Sequence, residues 1–460
     1  MKNTNQRVYL TKVFTVWGTI IVLILTIGAL RGAPPNLGPT TGKNSVKSVA
    51  TPHVFRNQLG DSPNPSSKKR DYIKASSWPE GMRIYRDWWD KRQTAVYIAE
   101  MERTAKNLRF GVELSNSQIL DRETISGMSN RLEQRGILML AGVNGSFGIR
   151  EDGRGRGGLM FNLHIQDEEL MSIPPLQDEW GYSPTSPWGE ASFGATTDGE
   201  FLLDAVQLNG IVRINGEELK VDCINQIRDS ECPVVIYTSR FGQQTLTRGG
   251  YEVTLKQLEL PLKGKYRDRF VIEAVNTAGN SLIPPDGVVL SLERRLAQTW
   301  GPKLIEGGTG ALEIALSPPQ WQHVTDGIGG NIRLLRDGKI EPELTQLHQT
   351  DGISAPDQMN GVELHPRSAL GFNDEKLFLM VVDGRQEGYS LGMTFYEMAG
   401  FLRDLGAKHA INFDGGSSST LWGFGGVVNR PSNGYERGVF NVAMIMTRPS
   451  HAQRRNEETR

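Results

Sequence analysis

Soft metal ligands are scarce in this chain: 460 residues include two cysteines, Cys223 and Cys232, and seven histidines. The histidines show no H-x-x-H or H-E-x-x-H spacing, so a zinc or paired-metal hydrolase site has no basis in the sequence. A site of carboxylates alone, of the kind calcium takes, stays open. Otherwise no metal and no cofactor is expected. An excess of one charge is missing too. The chain sets 51 Lys and Arg against 52 Asp and Glu, a formal net charge of −1. Nothing global therefore points to nucleic acid as a partner. Helix-forming runs are few, glycine is plentiful at 52 residues, and no internal repeat occurs. A strand- and loop-rich body of one large or two modest domains is expected.

One long apolar run is present. Lys2, Arg7 and Lys12 precede an uncharged stretch from Val13 to Leu30, just long enough as a helix to cross a hydrocarbon core. Ile27 and Arg31 spoil the small-x-small cleavage sites near its end. Residues 1–35 thus read as a signal anchor, with a cleaved signal peptide as the alternative. Either places the body outside the cytoplasm, and the anchor makes the membrane a partner. Residues 36–77 read as a polar linker, 78–448 as the folded body and 449–460 as a polar tail. In an extracytoplasmic body, Cys223 and Cys232 fit a local disulfide and two thiols equally well.

Within the body, residues 93–114 read as two strands joined by a polar turn near Lys106 and Asn107. Ile119 to Gln134 reads as a helix with Ile125, Met128 and Leu132 on one face and Gly136 as its stop. A buried strand, Ile137 to Leu140, follows and runs toward Asn144. Residues 155–345 are mostly short strands with turn signals such as Asn215-Gly216 and Asp337-Gly338. Further on, Leu377 to Val382 is a buried strand. Thr394-Phe395-Tyr396-Glu397 opens a helix by a capping-box pattern, and His409 to Phe413 is another strand. The expected fold class is α+β, a mixed sheet with a C-terminal βαβ unit whose strands run parallel. Both strands then carry their C-terminal ends to one edge, where ligands gather. Asp383 follows one end and Asp414 the other, the latter within INFDGGSSST (411–420).

A set of blocks extends this reading. His365-Pro366-Arg367-Ser368, VVDGR (381–385), Ser390 to Thr394, INFDGGSSST, VVNRPS (427–432) and Glu436-Arg437 occur in this order. Upstream lie VNGSF (143–147), VIYTSRFGQQT (235–245) and GGNIRLLRDGKI (329–340). In order and spacing they resemble the phosphodiester glycosidase (NAGPA) domain family, over about residues 90–448. The family usually has Asn-Gly-Gly-Phe-Phe where this chain has Asn144-Gly145-Ser146-Phe147-Gly148, and Asp-Gly-Gly-Gly-Ser where it has Asp414-Gly415-Gly416-Ser417-Ser418. It also has Thr where this chain has Ser368.

The resemblance implies hydrolysis of a sugar-1-phosphodiester at its anomeric C–O bond, in envelope or extracellular glycans. Such chemistry needs a carboxylate against oxocarbenium charge and a carboxylate to activate water or attack. It also needs cations and amide donors on the phosphate. Asp414 is the first candidate for a catalytic carboxylate. Asp383 is the second, as its partner or as an orienter of arginines. Arg367, Arg385 and Arg437 fit phosphate bidentately. Gly415 and Gly416 let backbone N–H groups approach an anion. Ser417, Ser418 and Asn144 are candidates for hydrogen bonds to phosphate or sugar, with Asn429 and Glu436 behind them. Two alternatives stay open: a glycan-binding module on the same fold without turnover, and a phosphodiesterase cutting P–O.

Overall fold

Alternation of apolar residues on both faces of the central strands sets up the architecture. In the computed structural model, described for residues 71–72, 79–89, 92–149, 157–175, 191–349 and 361–448, the chain divides into units Met1–Thr51 and Pro52–Arg460. All described residues belong to the second. The apolar run Val13–Leu30 and the tail 449–460 lie outside them. No helix among the described residues is long and apolar enough to cross a membrane. Asp71–Tyr72, inside the stretch read as linker, pairs antiparallel with Tyr85 and Arg86.

In strand Lys376–Val382, Leu377, Leu379 and Val381 pack into one core while Phe378, Met380 and Val382 pack into another. A strand buried on both faces shows as a continuous apolar run, and LFLMVV is that run. Its eight-stranded sheet is packed on one side by helix Phe395–Asp404, through Phe395, Met398, Ala399 and Leu402. On the other side it shares a core with a five-stranded sheet that holds Leu108–Leu114, Met139–Asn144 and Asn441–Thr447. Helix Ile125–Gln134 covers the far face of that second sheet with Ile125, Met128 and Leu132. The middle of the chain forms a further eight-stranded sheet around its own core.

The strand–helix–strand unit near the C-terminus differs from expectation in one respect. Lys376–Val382 and His409–Phe413 run in the same direction, because each pairs antiparallel with Arg367–Phe372. That strand lies between them, so every neighbouring pair in this sheet is antiparallel. A parallel pair occurs instead in the middle sheet, Cys223–Ile224 with Val234–Tyr237, and Cys223 and Cys232 form a disulfide. The strands Thr94–Glu102 and Leu108–Leu114 form as expected but belong to different sheets. The first helix begins later than expected, at Ile125. Thr124 caps it by accepting from Gly127 N at 3.0 Å. Upstream of the cap, Ile119 and Glu123 donate their N–H groups to Arg240 and Val439 carbonyls.

Candidate active site

Strand polarity builds the site. Asp383 follows Lys376–Val382, Asp414 follows His409–Phe413, and Arg367 begins the antiparallel strand between them. All three therefore stand at one edge of the sheet. Asn144, the last residue of Met139–Asn144 in the second sheet, reaches the same place. Fully buried, its Nδ2 donates to the Asp414 carbonyl at 2.6 Å. Its Oδ1 accepts from Ser368 Oγ at 2.7 Å and from Thr420 N at 3.1 Å. Asn144 therefore spends its side chain fixing the loop after Phe413.

That loop turns sharply. Gly416 has φ +63°, in the left-handed region where side chains are disfavoured, and opens a short 3-10 turn, Gly416–Ser418. A Cβ on Gly415 would stand 2.9 Å from the Pro366 carbonyl, which accepts from Gly416 N at 2.8 Å. A Cβ on Gly416 would stand 3.2 Å from both terminal nitrogens of Arg385. The Arg385 guanidinium thus lies directly against this turn.

Positive groups gather here. Arg385 Nε donates to His365 Nδ1 at 3.3 Å, and His365 Nε2 lies 2.8 Å from Glu363 Oε2. Arg367 is buried, donates to the Met393 and Glu363 carbonyls, and stacks over Phe395 at 4.1 Å. Burial and the neighbouring Arg385 charge pull the Arg367 pKa down to about 9. Burial, then the charges of Arg367 and Arg385, lower that of His365. Arg437 Nη1 donates to Ser417 Oγ at 2.7 Å.

Asp383 lies deeper, 1% exposed. Its carboxylate accepts from Asn429 Nδ2 at 2.8 Å, Arg430 N at 3.0 Å and Tyr389 OH at 3.1 Å. Tyr389 OH is in turn 2.8 Å from Tyr97 OH. Burial outweighs these donors and raises the Asp383 pKa to about 7. The arginine that Asp383 orients is Arg430, through its main chain. Asn429 is also turned inward: it donates to Asp383 and to the Ser419 carbonyl, and accepts from Leu421 N. Glu436 sits at the start of helix Ile125–Gln134, where its Oε1 accepts from Ser126 N at 2.9 Å.

Residues 264–446 match the family model of the phosphodiester glycosidases. Over 82 residues, 18% of this chain, the sequence is 38% identical to YomE, an uncharacterised prophage-derived protein of Bacillus subtilis. That match spans only 13% of the relative's length. Among solved structures, a hypothetical protein from Synechocystis superposes with a TM-score of 0.64 at 17% identity, covering 83% of this chain and 64% of that one. A protein designated as exported, from Burkholderia pseudomallei, gives 0.57 at 20% identity, covering 76% and 74%. The zebrafish N-acetylglucosamine-1-phosphodiester α-N-acetylglucosaminidase catalytic domain gives 0.39 at 16%, covering 82% and 86%. The first two likenesses show a shared fold.

The phosphodiester glycosidase segment contains every expected site residue except Asn144. The structure brings Asp414, Arg367, Arg385, Gly415, Gly416, Ser417, Ser418 and Arg437 around one turn. Asp383, Asn429 and Asn144 lie behind it as buried supports. The departures from the family pattern are accommodated: neither Ser146 nor Ser417 has a positive φ. Ser146 Oγ donates to the Gly329 carbonyl at 2.8 Å. Sequence reasoning missed His365 and Tyr389. His365 stood inside the His365-Pro366-Arg367 block and was legible there. Tyr389 carries no motif, and only the fold brings its hydroxyl to Asp383.

Proposed function

We propose that this protein is an extracytoplasmic hydrolase that cleaves the anomeric C–O bond of a sugar-1-phosphodiester. The observation that carries this reading is the meeting of Arg367, Arg385 and His365 at the Gly415–Ser418 turn, next to Asp414. Burial and then the Arg385 charge lower the Arg367 pKa, and an anion between these two guanidinium groups would relieve the repulsion between them, while His365, neutral and accepting from Arg385 Nε, orients that guanidinium. Phosphate oxygens match guanidinium groups bidentately, whereas the Gly416 amide expected to face an anion is already bonded to the Pro366 carbonyl. Asp414 supplies the carboxylate at the anomeric carbon. As the C–O bond breaks, its electron pair leaves with phosphate, and water adds to the ring carbon. Asp383 acts through Asn429, Arg430 and Tyr389 as a positioning residue. The family match over residues 264–446 supports the reaction class, and the fold shared with a protein designated as exported supports the location.

The test is product analysis in 18-O water with a GlcNAc-α-1-phosphodiester and the full chain. Label is expected in the free sugar, and Asp414→Asn should lower turnover by at least about a hundredfold while the thermal transition is kept. Label in phosphate would replace this reading with P–O cleavage. Saturable binding without product would leave a glycan-binding module.

A further inference from the structure

Behind the turn, a line of polar groups leads from the edge strand Asp71–Tyr72 to Asp383. Tyr97 stands opposite Arg86 where Met82–Trp89 pairs with Thr94–Glu102. Arg86 is 7% exposed, and its Nη2 donates to Asp71 Oδ2 at 2.7 Å. Burial, then the Asp383 charge, raises the Tyr97 pKa to about 12, while the Tyr389 hydroxyl and the Arg86 guanidinium oppose the rise. Tyr97 OH lies 2.8 Å from Tyr389 OH, which donates to Asp383 Oδ2 at 3.1 Å. Asp383 takes two further donors, Asn429 Nδ2 and Arg430 N, and the Arg430 guanidinium stacks on the Tyr389 ring at 4.8 Å. Among the described residues, the charged and titratable groups along this line are therefore Asp71, Arg86, Tyr97, Tyr389, Asp383 and Arg430.

The ends of the line fix its direction. A guanidinium only donates and an ionised carboxylate only accepts. Between them, Tyr97 accepts from Arg86 and donates to Tyr389, and Tyr389 donates to Asp383. A protonated Asp383 would itself need an acceptor. Asn429 Nδ2 and Arg430 N are amide nitrogens and cannot accept, so only the Tyr389 hydroxyl remains. Tyr389 would then turn its own proton to Tyr97. Tyr97 is 3% exposed, and its displaced proton would find no acceptor among the described residues. A buried donor left without a partner is costly, so the relay opposes the protonation that burial favours. We propose that Tyr97 is a positioning residue that acts through Tyr389 to hold Asp383 in its ionised, accepting form, and so keeps Asn429 and Arg430 fixed behind the turn. Its bearing on turnover rests on the hydrolase reading of that turn.

Infrared titration of the full chain tests it, with the carboxylic C=O band of Asp383 assigned by its loss in Asp383→Asn. Tyr389→Phe should raise the midpoint of that band by about one pH unit, because the ionised carboxylate loses a donor. Tyr97→Phe should raise it by roughly a third as much, the part by which one hydrogen bond strengthens the next. Both substitutions keep the ring and remove one oxygen. In the double variant the shift should equal that of Tyr389→Phe alone, since Tyr97 acts only through Tyr389. An unchanged or lowered midpoint in Tyr97→Phe, additive shifts in the double variant, or a band that does not titrate in the unaltered protein would overturn the inference. The expected shifts without hydrolysis of any diester would instead sink the hydrolase reading and leave the relay. Hydrolysis with an unmoved midpoint in Tyr97→Phe would do the reverse.

Discussion

Asp383 holds its proton to about pH 7 in the folded chain, while an ordinary Asp releases it near 3.8. A folded pKa raised above the unfolded one stabilises the protein below the unfolded value, and that stability is lost as pH rises toward the folded value. The contribution of Asp383 should therefore fall between about pH 4 and pH 7 and stay flat above. Asp326, raised to about 6 by burial, works in the same direction. His164, which burial lowers to about 4, works in the opposite one. Guanidinium unfolding of Asp383→Asn across this window isolates the first effect: the stability of the unaltered chain relative to the variant should decline as pH rises. A constant difference would remove the assignment. At Gly416, φ +63° and the nearby Arg385 guanidinium both oppose a side chain. Gly416→Ala should cost about 1–3 kcal/mol of stability in urea and weaken phosphate binding. At this scale the meeting of Asp414, Arg367 and Arg385 at one candidate site was legible, because they sit in short blocks with glycine or proline beside them. The supporting roles of Asn144 and Asn429 were not, since a buried amide and a ligand-facing amide look alike in sequence.

Helix Phe395–Asp404 was legible almost to the residue. Its capping box forms in both directions: Thr394 Oγ1 accepts from Glu397 N, and Glu397 Oε2 accepts from Thr394 N. Glu397 also pairs with Arg92, which ties the helix start to the beginning of the body. Met393, immediately before the cap, gives its carbonyl to Arg367 Nε. Thr394→Ala should therefore lower stability by about 1 kcal/mol, measured as a shift of the urea midpoint at unchanged slope, and should perturb Arg367. Strand pairing was less legible. Local apolar patterning identifies strands but leaves their partners open. The strands around Lys106 look like a hairpin in sequence, yet one pairs with Lys376–Val382 and the other with Asn441–Thr447. Likewise, parallel direction was correct for the C-terminal unit, but Arg367–Phe372 precedes both strands and enters between them.

The match at residues 264–446 covers the motifs from GGNIRLLRDGKI (329–340) onward but neither VNGSF (143–147) and VIYTSRFGQQT (235–245) nor the whole fold that holds them. Strand Asn441–Thr447 lies between Leu108–Leu114 and Met139–Asn144, and Lys376–Val382 pairs with Thr94–Glu102. Residues 264–446 expressed alone would expose both flanks of the first of these strands and one flank of the second. Near-UV circular dichroism of that piece should show no fixed aromatic packing, and its thermal unfolding should lack a cooperative transition. A sharp transition would show that the upstream strands are dispensable. The long reach of Asn144 has a further consequence in time. Its amide grips the Asp414 carbonyl across a sequence separation of 270 residues. With synthesis at roughly 5–20 residues per second, about 14–54 s elapse between the making of the two partners. Throughout that interval the nascent chain carries a finished Asn144 with no pocket to support, so any activity begins only once the last strands have left the ribosome.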